Sequence, residues 1–155
     1  MKLFSLFFLR ISLGALFFYA GITKVLDPSW SAAGYLLNAK TFSGLYAWFA
    51  SPALLPFTNF VNEWGLFLIG LCLMLGICVR ISGIAGAMLM LLYYFPILDG
   101  VYPNPHSFLV DEHIVYVFAL LTLAAFRAGR IYGLEKWCSE LPICSRFPKL
   151  RAFLG

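Results

Sequence analysis

The sequence predicts an all-α membrane protein. The expected form is a four-transmembrane-helix bundle with both termini inside and short interfacial helices in a long outer loop between spans 1 and 2. Three observations predict it. Of the 155 residues, 62% are hydrophobic and 12% charged, with a mean hydropathy of +0.88. Soluble domains run at roughly 45–50% apolar and about 25% charged residues, and a chain this short cannot enclose so large an apolar excess. The apolar residues gather into stretches of membrane-spanning length. The basic residues between those stretches fall on one side.

A transmembrane helix needs about 20 mainly apolar residues, with a range of roughly 17–25. Span 1 is expected at about 3–26. Its apolar run is too long for a signal peptide, and no small-x-small cleavage pattern follows it, so it reads as a retained helix. Span 2 is expected at about 60–79, entered at Asn59 as N-cap. Span 3 follows at about 81–98 after a hinge at Arg80, and bends or ends near Pro96. The fourth stretch is harder to place. Residues 114–126 make a helix of about 20 Å, too short for a hydrocarbon core of about 30 Å. The expectation is therefore a helix over 105–126 that starts at Asn104-Pro105 and carries the "DEH" triplet, Asp111, Glu112 and His113. Residues 27–59 hold Trp30, Tyr35, Tyr46 and Trp48 among Gly, Ser and Pro. Such amphipathic rings favour headgroup level, so short interfacial helices are expected at "SAAGYLLNA" and "GLYAWFA". Residues 138–155 read as a short basic cytoplasmic tail after the membrane domain of residues 1–137.

Orientation follows from the basic residues. With the N-terminus inside, the inner side carries nine basic and two acidic residues, +7, and the outer side two basic and five acidic, −3. There is no run of like charge of the kind that binds nucleic acid. The four cysteines match neither a metal motif nor a C-x-x-C redox motif. Cys138 and Cys144, on the reducing side, are expected to stay unpaired.

Helical wheels place Arg10, Gly14, Gly21 and Lys24 on one face of span 1, Glu63, Gly70 and Met74 on one of span 2, and Gly83, Ala87, Met90 and Tyr94 on one of span 3. In span 4, Glu112 aligns with Tyr116 and His113 with Val117. Glycines permit close helix approach, and charge inside a membrane faces the bundle interior. Sorted by depth, Lys24, Glu63, Tyr94, Asp111, Glu112 and His113 gather at the outer end. Glu63, Asp111, Glu112 and His113 are the catalytic candidates. Lys24, Tyr94 and His113 are candidates for a quinone pocket, since a quinone carbonyl needs hydrogen-bond donors and a proton source. A structural reading stands beside this one. Acids in a first helical turn suit the macrodipole, Lys24 can snorkel, and tyrosines can form an aromatic belt.

"LRISLGALFFYAGITKVLDPSWSAAGYL" (9–36) resembles the opening of the DoxX/DoxD family of four-span membrane proteins. "NEWGLFLIGLCLMLGICVRISGIAGAMLMLLYY" (62–94) resembles that family's Glu-containing second span, Gly-rich run and Arg hinge. "DEHIVYVFALLTLAAFRAGRIYGLEKW" (111–137) is similar to the last span of the DoxD-like branch, associated with thiosulfate:quinone oxidoreductase. The resemblance implies a bacterial or archaeal cytoplasmic (inner) membrane protein linked to quinone reduction, in which Lys24, Glu63, Arg80, Asp111, Glu112 and His113 match the family pattern. The expected function is a membrane subunit of a quinone-linked oxidoreductase. Its partners would be the lipid bilayer, quinone, and another membrane or periplasmic redox subunit or a second copy of the chain. No haem, flavin, iron–sulfur or metal motif is visible. A non-catalytic scaffold subunit of a larger redox complex is the alternative, and a small-solute or proton carrier the weaker one.

Overall fold

In a computed structural model, which describes residues 1–140, the chain is all-helical, with no β-strand among the described residues. The thiols of Cys138 and Cys144 and the tail beyond residue 140 lie outside the described residues. Four helices form the bundle: α1 (Lys2–Val25), α4 (Leu55–Leu75), α5 (Val79–Ile97) and α6 (Glu112–Ala125). Between α1 and α4 lie the short helices α2 (Ala33–Leu37) and α3 (Ser43–Phe49), at the two segments singled out in the sequence. A 3-10 turn, Ala128–Arg130, and α7 (Leu134–Glu140) follow α6. We call the end carrying α2 and α3 the loop end and the opposite end the terminal end.

α1, α4 and α5 are long and apolar enough to cross a membrane, and α6 is a shorter apolar helix. Large apolar side chains such as Phe8, Phe60, Leu68, Met88 and Phe118 point outward. A second apolar layer, Leu13, Phe17, Leu66, Leu73, Met90 and Leu120, is buried between the helices. An apolar exterior around an apolar interior suits lipid as solvent.

Glycines set the helix pairs. A Cβ on Gly70 would lie 2.5 Å from the Phe18 Cα, and one on Gly21 2.6 Å from that of Phe67. The backbones of α1 and α4 therefore touch. Gly83 plays the same part between α5 and α6, where a Cβ would meet the Leu120 carbonyl oxygen at 2.8 Å. The glycine-bearing faces read from the helical wheels are the contact faces.

Three boundaries differ from expectation, each for a local reason. α4 begins a turn early, at Leu55, with Pro56 in its first turn, where a fixed φ favours the helix. Asn59 is thereby freed from capping, and its Oδ1 accepts from the Ala32 N–H at 3.0 Å. The turn between α4 and α5 is not at Arg80 but at Gly76–Cys78. Gly76 sits in the left-handed region (φ 68°) and its N–H closes the last turn of α4, while Arg80 belongs to α5. The helix expected over 105–126 begins only at Glu112. Asp111 stops it from starting earlier: its backbone is extended and its Oδ1 accepts from the N–H of His113 (3.1 Å) and Ile114 (3.3 Å). The triplet thus sits at the helix start instead of inside it. The 14 residues of α6 measure about 21 Å. The chain continues through Phe126 and Arg127 into the 3-10 turn, whose buried Ala128 joins the core cluster with Val79, the first residue of α5.

The terminal end is tied by Arg10, which is fully buried. Its Nη1 donates to the carbonyls of Leu73 (2.6 Å) and Met74 (3.3 Å), at the end of α4. Its Nη2 donates to those of Ile131 (3.1 Å) and Tyr132 (3.3 Å), beyond α6. One forked side chain bonds carbonyls at the end of α4 and pins the returning chain against it.

Candidate functional site

The loop end holds a cavity of about 610 Å³. Its walls come from the last turn of α1, the α2–α3 segment, the first two turns of α4, the last turns of α5 and the start of α6. The lining is mainly apolar and aromatic, with Lys24, Ser31, Thr58, Asn62, Tyr93 and His113 among the polar side chains. Ligand cavities of small molecules commonly have about this size and character.

His113 is oriented by Asp111. The His113 Nδ1 lies 2.6 Å from Asp111 Oδ2, while Asp111 Oδ1 caps α6. The Asp111 side chain is almost wholly buried and that of His113 is partly open. In the neutral imidazole, Nδ1–H donates to the carboxylate, which leaves Nε2 as the ring nitrogen available to a ligand. Tyr93 stands edge-on to the His113 ring, with centroids 6.1 Å apart, and its hydroxyl donates to Asn62 Oδ1 across the gap between α5 and α4.

Lys24 also lines the cavity. Its Nζ donates to the carbonyl of Ala20 at 3.2 Å and sits 5.3 Å from the centroid of the Trp30 ring. A carbonyl and a ring face leave N–H donors of the ammonium for a further oxygen.

The roof is α2 and α3. Tyr46, buried, donates its hydroxyl to the Leu92 carbonyl at 3.0 Å, and Tyr35 donates to the Tyr93 carbonyl. The reason is Pro96. Inside α5 it has no N–H for the Leu92 carbonyl four residues back, so that acceptor must find another donor. The roof supplies one. The Lys40 N–H and the Thr41 hydroxyl likewise donate to the Pro96 and Leu98 carbonyls, at 2.9 and 2.6 Å. Burial pushes the Tyr35 hydroxyl up to about 12 and raises that of Tyr46. Both stay protonated donors at neutral pH.

Of the residues singled out in the sequence, Lys24 and His113 line the cavity and Asp111 stands directly behind His113. Glu63, Tyr94 and Glu112 do not line it. Glu63 is half-buried and close enough to Lys24 to act on it electrostatically. Tyr94 points elsewhere: buried, it donates to the Leu109 carbonyl at 2.5 Å and holds the α5–α6 loop. Glu112 is exposed. For the first two, a chain neighbour occupies the cavity instead. Asn62 stands where Glu63 was expected and Tyr93 where Tyr94 was, because one residue is a 100° turn of the helix. The roof tyrosines, 35 and 46, are absent from the sequence-based candidates but had a signal: a proline inside a long apolar helix announces an unpaired carbonyl four residues earlier.

A family model described as DoxX matches residues 5–97. Comparison with curated proteins and with solved structures finds no match.

Proposed function

Because the chain belongs to the DoxX family, a membrane family often linked to redox or quinone-related functions, we propose that it is the membrane subunit of a quinone-linked oxidoreductase. The cavity beside His113 is then the quinone site. The observation that carries this reading is the Asp111–His113 pair, closed by burial at its acid end and opening at the imidazole onto an apolar, aromatic-walled cavity.

A quinone, when bound, accepts two electrons and two protons. The chain's own residues supply the proton handling and the orientation. Asp111 fixes the imidazole through Nδ1, so that Nε2 accepts a hydrogen bond or a proton on the cavity side. Lys24, which also lines the cavity, offers an N–H to a further ligand oxygen. The aromatic walls, Trp30 and Tyr93 among them, exclude water and accept a flat ring. On this reading the loop end is the outer face, both termini lie inside, and α6 with its 3-10 turn is the fourth crossing of an inner-type membrane.

The electrons come from a donor outside the cavity. Thiosulfate oxidation to tetrathionate releases two electrons, which matches quinone reduction. The apolar lining, whose one permanent cation is Lys24, is a poor place to desolvate a dianion. We therefore assign thiosulfate, or any other ionic donor, to a partner redox subunit.

The test is binding of a ubiquinone-type or menaquinone-type analogue to purified protein in nanodiscs, followed by quenching of tryptophan fluorescence. Turnover is then measured with the genomically neighbouring proteins added. His113→Ala is expected to weaken binding or turnover at least tenfold, about 1.4 kcal/mol, with assembly intact. Absence of quinone binding by folded protein sinks the reading. Partner assembly without such binding instead supports the scaffold alternative, which the exposed Tyr102, Phe108 and Val110 of the α5–α6 loop favour as a docking edge.

A further inference from the structure

The cavity is reached through side chains that also form the outer apolar surface. Phe57 and Val61, one helical turn apart on α4, line it and are 66% and 42% exposed. Leu92 on α5 and Trp48 on α3 also line it and are 44% and 58% exposed. These four frame a mouth between α4 and α5 beneath α3. Their rims continue the outward-facing apolar surface of the same helices, Phe60, Trp64 and Leu68 on α4 and Met88 on α5. The polar groups lie deeper: Asn62 is buried, and His113 and Lys24 are partly covered.

The Tyr93 side chain reaches Asn62 between α5 and α4. Above, the roof is tied down on α5 by the Tyr35 and Tyr46 hydroxyls and on α4 by the Asn59 and Thr58 side chains, which bond Ala32 and Phe49. Of the lining side chains that are also exposed, Phe57, Val61 and Leu92 belong to the apolar outer faces of α4 and α5, while Ser31, Tyr35 and Trp48 belong to the roof segment.

We infer that this mouth is a lateral portal to the bilayer, and that the occupant is an amphiphile with a flat polar head and an apolar tail. The head seats between His113 and Lys24, and the tail leaves between Val61 and Leu92 into lipid. The inference rests on the quinone reading for the head and adds the route and the tail. Apolar walls at the mouth cost a hydrocarbon tail nothing relative to lipid, whereas a water-borne ligand would cross them unpaired.

The experiment compares two analogues of the same head in nanodiscs by stopped-flow tryptophan quenching, one with a tail of ten carbons or more and one with a methyl group in its place. Val61→Trp narrows one rim and Leu92→Trp the other, so a folding failure of one leaves the other. Phe60→Trp, on the exposed face of α4 outside the cavity lining, is the control. The expected result is a fall of at least tenfold in the ratio of tailed to tailless association rates for each rim variant, with no change for the control. An unchanged ratio, with both analogues binding, overturns the portal and leaves the quinone reading standing. If neither analogue binds the wild type, the quinone reading falls and the portal inference falls with it.

Discussion

Tyr46→Phe removes one oxygen and nothing else, and the structure sets its cost. The Leu92 carbonyl has lost its helical donor to Pro96 and takes the Tyr46 hydroxyl at 3.0 Å instead. Tyr46 is 2% exposed, so water does not readily replace the lost bond. A buried acceptor left unpaired costs about 1–3 kcal/mol. For a chain of about 150 residues that converts to a fall of roughly 2–12 °C in Tm, read by thermal unfolding in a fixed detergent. The decisive measurement is the cycle with Pro96→Ala. An alanine at position 96 restores an N–H that donates to the Leu92 carbonyl, so the hydroxyl becomes dispensable. Tyr46→Phe should then cost at least about 1 kcal/mol less in the Pro96→Ala background, within the range usual for coupled neighbours. Equal losses in both backgrounds would refute the argument, because they would mean that the hydroxyl and the proline do not share an acceptor.

The other predictions concern separate parts of the bundle. Gly70→Ala forces a Cβ to within 2.5 Å of the Phe18 Cα on α1 and should cost at least about 1–3 kcal/mol, whereas Gly65→Ala, with nothing within 4 Å, should be neutral or slightly stabilising; chemical denaturation in mixed micelles separates them. Arg10→Lys should lose about 2 kcal/mol or more, since one ammonium cannot bond the carbonyls of Leu73 and Tyr132 together as the fork does. Asp111→Asn keeps the cap on α6 but not the carboxylate against His113, so stability should change by only about 0.5 kcal/mol or less while quinone binding or turnover falls at least tenfold; Asp111→Ala should also lose about 0.5–2 kcal/mol of stability. Burial raises the Glu135 carboxyl above its usual value, against the opposing pull of Arg130, Arg10 and Arg127. Its contribution is therefore fully present below the unfolded value near 4.5 and is lost as pH rises through the higher folded value. Glu135→Gln should flatten that stretch of the stability–pH curve.

How much of this is legible in the residues alone depends on the period of the signal. Apolar runs and small-residue faces repeat along a helix, so the long helices and the α1–α4 and α5–α6 contacts through Gly21, Gly70 and Gly83 are visible there. The aromatic segments of the long loop are equally plain as α2 and α3. The end of a helix is decided by one side chain, and there pattern and structure part. Span length argues for Asp111 inside a longer helix, but a free carboxylate beside two amide hydrogens is worth more as a cap. The shortfall in length that points to an upstream start is real: α6 has 14 residues, and the chain after it runs through Arg127 into a 3-10 turn. At the site, charge draws attention to Glu63 and Glu112, while the cavity is lined by the less conspicuous Asn62 and Tyr93. Apolar surroundings favour a neutral amide and phenol over a carboxylate, and sequence position alone does not reveal which of two neighbours faces inward.

Arg10 joins segments that the ribosome makes far apart in time. Its first pair of acceptors, on Leu73 and Met74, exists once α4 is in place, but the second pair, on Ile131 and Tyr132, lies after the last bundle helix. Until then a guanidinium near the start of the chain is half-solvated by protein and must find the rest of its donors' partners in water or headgroups. The bond set of Arg10 is therefore complete only when the segment after α6 has returned to the terminal end, so that the first helix of the bundle and the last described stretch of chain close the fold together.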